Sequence, residues 1–159
     1  VITISDTRTI GTDTSGDILT ERIIQSGHNL TSRSIVKDEI NAITEALEAL
    51  ISNNLTDVII TTGGTGVTGR DITPEAFEMI CDKIIPGFGE LFRAISFKKI
   101  GTSSLQSRAI AGIAKGKYLF AVPGSPNACK DAWDEILIFQ LDIRHKPCNF
   151  VELISRLKE

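Results

Sequence analysis

Short apolar runs rich in β-branched residues alternate along the chain with segments whose apolar residues recur every three or four positions. The first such run covers residues 1–5, and the strongest covers residues 57–62. Between them, the segments that begin at Ser15-Gly16 and at Asp38 each carry one apolar face, as amphipathic helices do. Residues 28–36 are predicted to form a further strand. This strand–helix–strand order favours a parallel sheet with helices on both faces.

The second half of the chain continues this alternation. Its predicted helices begin at Thr73-Pro74 and cover residues 87–100 and 126–141, and its predicted strands cover residues 109–113 and 118–122. The two strands are joined across Lys115-Gly116, which favours a hairpin. The predicted fold class is therefore α/β, with three layers (α/β/α) and a mostly parallel sheet that has an antiparallel hairpin at one edge. We expect residues 1–159 to form a single domain in which residues 147–159 are a peripheral C-terminal tail.

Composition narrows the range of functions. The 159 residues include 20 acidic and 17 basic side chains, a net charge of −3, which argues against a nucleic-acid-binding protein that neutralises phosphates. No apolar run approaches the ~20 residues of a membrane span, so no membrane association is expected. The cysteines Cys81, Cys129 and Cys148 fit no zinc-binding spacing. They are predicted to be buried, reduced thiols, which indicates a cytoplasmic protein.

Three loops follow predicted strands or precede predicted helices at positions where α/β sheets bind ligands. The first loop runs from Ser5-Asp6 to Ser15-Gly16, the second from Thr61 to Asp71, and the third is Pro123-Gly124-Ser125-Pro126-Asn127. The candidate substrate- and phosphate-binding residues in these loops are Ser15, Gly16, Thr62, Gly63, Gly64, Thr65, Gly66, Arg70, Gly124 and Ser125. Ser125 also has a structural interpretation, as the N-cap of the helix that follows it.

The glycine-rich loop after the strongest strand matches phosphate-binding motifs only in part. Residues 64–69 satisfy G-x-G-x-x-G, but the next helix begins at Thr73-Pro74, later than a dinucleotide site requires. A P-loop is excluded because Arg70 and Asp71 replace its lysine and hydroxyl residue. The remaining interpretations are an anion-binding nest of backbone N–H groups and a loop that only needs positive φ angles.

Two carboxylates are the candidate catalytic residues and metal ligands. Asp71 and Asp38 would share a Mg²⁺ ion if their loops lie at the same edge of the sheet. Asp38 has a structural alternative as the N-cap of the predicted helix that follows it. Asp6 is a weaker metal candidate, whose alternative role is to satisfy backbone groups of its own loop.

These residues resemble the signature of the MoaB/Mog family of molybdopterin-binding proteins. The central run Thr61-Thr62-Gly63-Gly64-Thr65-Gly66 is followed by Arg70-Asp71-Ile72-Thr73-Pro74-Glu75-Ala76. Asp13-Thr14-Ser15-Gly16, Gly87-Phe88-Gly89-Glu90 and Pro123-Gly124-Ser125-Pro126 resemble family motifs in the same order. The likeness covers nearly the whole chain.

The resemblance implies a role in molybdenum cofactor biosynthesis. In adenylylating members of the family, the terminal phosphate of molybdopterin attacks the α-phosphate of ATP, and pyrophosphate leaves. The implied cofactor is Mg²⁺, the co-substrate is ATP, and the two functional aspartates of the family fall on Asp38 and Asp71. The implied assembly is a homotrimer or a dimer of trimers, with possible contact to the molybdate-insertion protein of the pathway. Phe88, Phe92, Trp133 and Phe139 are each either an interface residue of this assembly or part of the core of one chain.

One departure from the family pattern leaves the activity open. Mog-like members have Val-Pro-Asp where this chain has Val36-Lys37-Asp38. Lys37 and the run Pro147-Cys148-Asn149-Phe150 resemble the MoaB branch, which is less uniformly tied to adenylyl transfer. The resemblance leaves two hypotheses: a molybdopterin adenylyltransferase, and a non-catalytic protein that binds or delivers molybdopterin. The G-x-G-x-x-G match leaves a third, a nicotinamide-dependent oxidoreductase.

Overall fold

The computed structural model describes residues 1–158, which form one six-stranded sheet with helices on both faces. The strands are β1 (Ile2–Ile4), β2 (Ser34–Val36), β3 (Val58–Thr62), β4 (Lys83–Ile84), β5 (Ile110–Ala114) and β6 (Lys117–Val122). The α-helices are α1 (Thr14–Gln25), α2 (Ile40–Ser52), α3 (Thr73–Ile80), α4 (Pro86–Ile100), α5 (Pro126–Ala132) and α6 (Ile138–Gln140). A π-helical turn, Trp133–Leu137, joins α5 to α6, and 3₁₀ turns cover Ile10–Thr12, Gly101–Gln106 and Val151–Arg156.

The strand order is β2-β1-β3-β6-β5-β4. Strands β1, β2, β3 and β6 are mutually parallel, whereas β5 pairs antiparallel with β6 and β4 pairs antiparallel with β5. Lys115 (φ +48°) and Gly116 (φ +81°) turn the chain between β5 and β6, as a two-residue hairpin with two left-handed residues requires. The mostly parallel sheet with antiparallel strands toward one edge is confirmed. The two-residue β4, which the sequence did not predict, pairs outside the hairpin.

Each face of the sheet has its own apolar core, so the predicted three layers are confirmed. The core under α2 and α3 includes Ile43, Leu47 and Phe77, which are fully buried. The core under α1, α4 and α5 includes Leu19 and Phe120. None of the helices formed by residues 1–158 is both long and apolar enough to cross a lipid bilayer.

The second strand is shorter than predicted. Only Ser34–Val36 of the predicted residues 28–36 form β2, and they pair one to one with Ile2–Ile4 of β1. Just before β2, the carbonyl of Ser32 accepts a hydrogen bond of 3.0 Å from the nitrogen of Val1, but residues 28–33 form no strand. Their β-propensity alone therefore does not make a strand.

The four aromatic residues predicted at a subunit interface or in the core divide into two groups. Phe88, Phe92 and Trp133 are at most 4% exposed, so for them the structure selects the alternative, a place in the core of one chain. Phe139 is 47% exposed and stays a candidate.

The structure also differs from the predictions for the C-terminal segment and for one cysteine. Residues 147–158 are not a peripheral tail throughout, because the Phe150 ring lies 4.7 Å from that of Tyr118 and Asn149 is buried.

Cys129 is buried as predicted, and burial raises the pKa of its thiol to about 11. Cys148 is exposed, so the prediction of a buried thiol is wrong there.

Replacing Tyr118 by Phe tests how well this core tolerates a polar atom. The Tyr118 hydroxyl is buried and has no hydrogen-bond partner within residues 1–158, and burial raises its pKa. Since its desolvation is uncompensated, Tyr118→Phe is expected to leave the free energy of unfolding unchanged or raise it by up to ~1 kcal/mol in urea denaturation. The control Tyr118→Ala should lose ~3–5 kcal/mol through lost packing. A loss above ~1 kcal/mol in Tyr118→Phe would contradict the uncompensated hydroxyl.

Candidate functional site

The candidate site lies where the carboxyl ends of four parallel strands meet. From β1 the chain crosses first to β2 on one side and then to β3 on the other, so a topological switch point lies between β1 and β3. Open α/β sheets bind ligands in the crevice at such a point. The loops after β1, β2, β3 and β6 carry Asp6, Asp38, Gly63 and Gly124, respectively. The structure therefore brings the three predicted loops together, and the loop that carries Asp38 lies at the same edge of the sheet, as its pairing with Asp71 requires.

The glycine loop is packed against the strands around it. Gly63 (φ +104°) and Gly64 (φ +64°) have left-handed backbones that favour glycine. A Cβ atom on Gly63 would lie 2.2 Å from the carbonyl oxygen of Ile4, and one on Gly64 would lie 2.3 Å from Oγ1 of Thr73. The Thr73 hydroxyl donates a hydrogen bond of 2.9 Å to the carbonyl of Gly63. Both glycines therefore need positive φ angles, as one interpretation of the loop predicted. Their position in the crevice leaves the other interpretation, an anion-binding nest, as a prediction.

The threonines of this loop have internal contacts. The Thr62 hydroxyl donates to the carbonyl of Pro123 at 3.0 Å and contacts Sγ of Cys129 at 3.1 Å. Both Thr62 and Thr65 are buried. Thr62 thereby ties the loop after β3 to the loop after β6, and its predicted role in ligand binding stays a prediction.

Asp71 is held as a charged carboxylate near the end of the glycine loop. Its Oδ2 accepts hydrogen bonds from the backbone N–H (2.9 Å) and the hydroxyl (2.6 Å) of Thr68. Burial opposes ionisation, but these donors and the N–H of Gly66 together hold its pKa below the usual value. A Cβ on Gly66 would lie 2.7 Å from Oδ2 of Asp71, so a glycine is needed for this approach.

Asp38 is the least satisfied polar side chain of the site. Its Oδ1 is buried and has no hydrogen-bond partner within residues 1–158. Burial raises its pKa, and the charges of Asp71 and Asp6 raise it further. Glu39 occupies the N-cap position of α2, and no side chain caps that helix, so the alternative role of Asp38 as an N-cap is wrong. A buried carboxylate oxygen without a donor fits a cation or a bound donor group.

Asp6 links three loops of the site. Its Oδ2 accepts from Nη2 of Arg70 at 2.5 Å, and its Oδ1 accepts from the backbone N–H of Asp38 at 3.2 Å. The Arg70 guanidinium and that N–H lower the pKa of Asp6. The ion pair is exposed on both sides and therefore contributes little stability.

The predicted ligands on the other two loops have intramolecular partners. The Ser15 hydroxyl donates to the carbonyl of Gly124 at 2.8 Å, and the N–H of Gly16 donates to Oδ1 of Asp13 at 2.9 Å. Ser125 accepts from the N–H of Ala128 at 3.2 Å, which confirms its role as an N-cap. These contacts fix the start of α1 against the loop after β6. Ligand binding by Ser15, Gly16, Gly124 and Ser125 stays a prediction.

The carboxylates fit a magnesium ion that a substrate helps to bind. Within residues 1–158, no three His, Cys, Asp or Glu side chains form a ready-made metal site. Asp6 is engaged by Arg70, which leaves Asp38 and Asp71. Mg²⁺ is commonly bound by one or two carboxylates together with substrate phosphates, and the unpartnered Oδ1 of Asp38 suits that arrangement.

Arg108 is a site residue that was not predicted from the sequence. Its Nε donates to the carbonyl of Gly66 at 2.6 Å, and its Nη2 donates to the carbonyl of Asp71 at 2.5 Å. Its Nη1 pairs with Glu75 at 2.5 Å. A signal was available: Arg108 directly precedes a strand of the predicted hairpin, and the start of that antiparallel strand must lie beside the end of β6.

Comparison of the sequence with known proteins gives two consistent matches. Residues 1–143 match the family model described as "Probable molybdopterin binding domain". Molybdenum cofactor biosynthesis protein B of Escherichia coli (strain K12) is 45% identical over 150 residues, which cover 94% of this chain and 88% of that protein.

Solved structures give the same grouping. A crystal structure of a molybdenum cofactor biosynthesis protein B has a TM-score of 0.89 at 42% identity, and the match covers 98% of this chain and 92% of that one. The crystal structure of the molybdopterin biosynthesis enzyme MoaB of Thermus thermophilus has a TM-score of 0.79 at 26% identity, with 99% and 93% of the two chains covered.

Adding a methyl group should destabilise the protein strongly at one glycine of the loop and hardly at all at another. Gly63→Ala adds a Cβ against the Ile4 carbonyl in a left-handed backbone, so we expect a loss of ~2–5 kcal/mol in the free energy of unfolding. Gly69→Ala is the matched control, because no atom lies within 4 Å of its Cβ position and its φ is not positive. Its effect should stay within ~0.5 kcal/mol in the same denaturation experiment. Equal losses in the two variants would contradict the packing described for Gly63.

Proposed function

Because the chain belongs to the MoaB/Mog family of molybdopterin-binding proteins, we propose that it acts in molybdenum cofactor biosynthesis as a molybdopterin adenylyltransferase. In this reaction an oxygen of the terminal phosphate of molybdopterin bonds to the α-phosphorus of ATP, and the bond to pyrophosphate breaks. The observation that carries the proposal is the placement of Asp71 and of Asp38, whose Oδ1 is buried without a hydrogen-bond partner within residues 1–158, beside the glycine loop at the switch point. The T. thermophilus relative is described as a biosynthetic enzyme, which supports catalysis.

The chemistry asks for positioning and charge neutralisation more than for a nucleophilic side chain. The glycine loop lets backbone N–H groups come close to phosphate oxygens, since no side chain lies in the way at Gly63 and Gly64. Arg70 is exposed and held only by an exposed carboxylate, so its guanidinium is available to a phosphate group. These groups would orient the two phosphates for in-line attack.

The two aspartates would hold the magnesium ion that the family resemblance implies. When bound, Mg²⁺ neutralises phosphate charge and polarises the α-phosphate. Asp71 is already fixed and charged through its bonds from Thr68. Asp38 is pushed toward protonation by burial and by its acidic neighbours, so positive charge in the crevice favours its ionised form.

A non-catalytic role in molybdopterin binding or delivery is the alternative. It is favoured by Lys37, which stands beside Asp38 where Mog-like members have proline. It predicts affinity for molybdopterin without any ATP-dependent product. The nicotinamide hypothesis loses support, because α3 begins at Thr73 and not within the glycines, so no helix N-terminus faces a pyrophosphate there.

We also propose that the chain assembles as a homotrimer, or as a dimer of trimers, through α4 and the turn after it. One face of α4 lies in the core of its own chain. Leu91, Phe97 and Ile100 of α4 and Leu105 of the next turn are 49–78% exposed. Such a grouping of large apolar side chains is typical of an interaction surface. We propose that the same assembly contacts the molybdate-insertion protein of the pathway. We also propose that the protein acts in the cytoplasm.

The adenylyltransferase proposal is tested by turnover. Asp71→Asn and Asp38→Asn are each expected to lower the rate of formation of adenylylated molybdopterin by ~100-fold or more, because each removes a carboxylate that would hold Mg²⁺ beside the reacting phosphates. The control Asp134→Asn, in an ion pair with Arg22, should keep the wild-type rate. The assay measures pyrophosphate release from ATP and molybdopterin with Mg²⁺.

Two outcomes would overturn the assignment. Wild-type rates in both Asp71→Asn and Asp38→Asn would remove their catalytic roles. Wild-type protein that binds molybdopterin but releases no pyrophosphate would establish the binding-only alternative.

The assembly proposal is tested by mass in solution. Wild-type protein should have about three or six times the 17.3 kDa of one chain by light scattering. Phe97→Glu and Leu105→Glu should reduce it to one chain, because a buried unpaired charge opposes association. Leu55→Glu, an exposed apolar site between α2 and β3, should keep the wild-type mass. A monomeric wild type would contradict the proposal.

A further inference from the structure

We propose that Arg108 is a positioning residue that orients both site carboxylates, Asp71 and Asp38, by holding the peptide groups that contact them. The catalytic consequence rests on the proposed adenylyl transfer, whereas the positioning itself is a property of the fold. Asp71 and Asp38 come from different loops, so something must set their relative placement. Residue 108 contacts the glycine loop near both of its ends.

The contacts of residue 108 span the loop from Thr65 to Asp71. Its backbone N–H donates to the carbonyl of Thr65 at 2.8 Å. Its guanidinium donates to the carbonyl of Gly66 through Nε and to the carbonyl of Asp71 through Nη2. Three carbonyls of one loop are therefore held by one residue, and two of the three bonds come from a single planar group.

Peptide geometry passes this constraint to the carboxylates. In a planar trans peptide, the C=O of one residue and the N–H of the next point in opposite directions. The Thr65 carbonyl faces Arg108, so the N–H of Gly66 faces away, toward the carboxyl of Asp71. The Asp71 carbonyl also faces Arg108, so the N–H of Ile72 points the other way, and this N–H lowers the pKa of Asp38. Residue 108 thus sets the directions of two N–H groups, one directed at Asp71 and one beside Asp38.

Arg108 is itself held from two sides. It lies two residues before β5, whose five residues all pair with β6, so the sheet restrains its backbone. Glu75, in the first turn of α3, takes Nη1 at 2.5 Å and orients the guanidinium plane. A lysine would supply the charge but not three donors in a fixed plane, so Lys is a poor substitute at this position.

The backbone and the side chain of residue 108 hold different carbonyls of the loop. The bond to Thr65 uses the backbone N–H and survives any side-chain change. The bond to Asp71 uses the guanidinium, so side-chain variants act mainly on the N–H of Ile72 and on Asp38. This asymmetry separates positioning from a general loss of stability.

The first test uses amide NMR and needs no turnover. In ¹H–¹⁵N spectra of wild-type protein, the Ile72 and Gly66 amide protons should lie downfield because each lies beside a carboxylate. Arg108→Gln and Arg108→Lys should move the Ile72 resonance upfield, with a smaller change at Gly66. Arg22→Gln is the matched control: Arg22 also binds a carboxylate with two nitrogens, on the surface beside Asp134, and its loss should move neither resonance.

The second test uses the kinetic parameters. Arg108→Gln should lower kcat by ~10–100-fold with little change in KM for ATP, because misplaced carboxylates affect the reacting centre more than ground-state binding. Arg108→Lys should recover little of that loss. If Arg108→Gln fails to fold, the comparison is made with Arg108→Lys, which retains the charge.

The outcomes distinguish this proposal from the proposed function. An unmoved Ile72 resonance in folded Arg108 variants overturns the positioning role, whatever the activity. A shifted Ile72 resonance in a protein that shows no turnover retains the positioning role and removes only the adenylyltransferase. Lowered stability with unchanged kcat and an unmoved Ile72 would reduce Arg108 to a structural residue.

Discussion

The site depends on the parallel pairing of β3 with a strand on each side. Thr62 of β3 lies opposite Thr3 of β1 and Val122 of β6, so the chain that leaves β3 emerges between the ends of both neighbours. The N–H of Gly63 continues the ladder to the carbonyl of Val122 at 3.1 Å. On the other side, the Gly63 Cβ position lies against the Ile4 carbonyl. The register of the sheet and the requirement for glycine are thus one constraint.

The three carboxylates that this constraint gathers are stabilised very unequally. Asp6 is paired with Arg70, and Asp71 accepts donors from Thr68, but Asp38 has a buried oxygen with none. In a chain of net charge −3, that imbalance marks the point where positive charge is missing. In the proposed reaction, local N–H groups, Arg70 and a cation between the carboxylates would meet an anionic substrate without a basic surface.

Most of the fold could be predicted because it follows from local patterns. The alternation of apolar runs and helical segments defined the layers, and Lys115-Gly116 defined the hairpin. The two-residue β4 was missed because Lys83 and Ile84 are a strand only through their pairing with β5. Residues 28–33 were overpredicted because β-propensity alone does not form a strand, and only Ser34–Val36 pair with β1.

The candidate site divides in the same way. Its glycines and Asp71 lie within one short run, so the motif identified them together, although their binding roles stay predictions. Arg108 was missed because its partners are 37 and 42 residues earlier in the chain. Asp38 could be read from the sequence as a helix cap, and only the structure shows that Glu39 takes the N-cap position. The sequence motif identified the glycine loop, whereas Arg108, which holds that loop, could be identified only from contacts in the folded structure.

The most direct test is a crystal structure of the protein soaked with ATP, Mg²⁺ and molybdopterin. The account predicts phosphate density against the backbone of Gly63 to Gly66, with the Asp38 and Asp71 carboxylates beside it and Arg70 drawn away from Asp6. Ligand density elsewhere would contradict it, for instance in the ~770 Å³ cavity near His28 and Trp133, with the glycine loop empty.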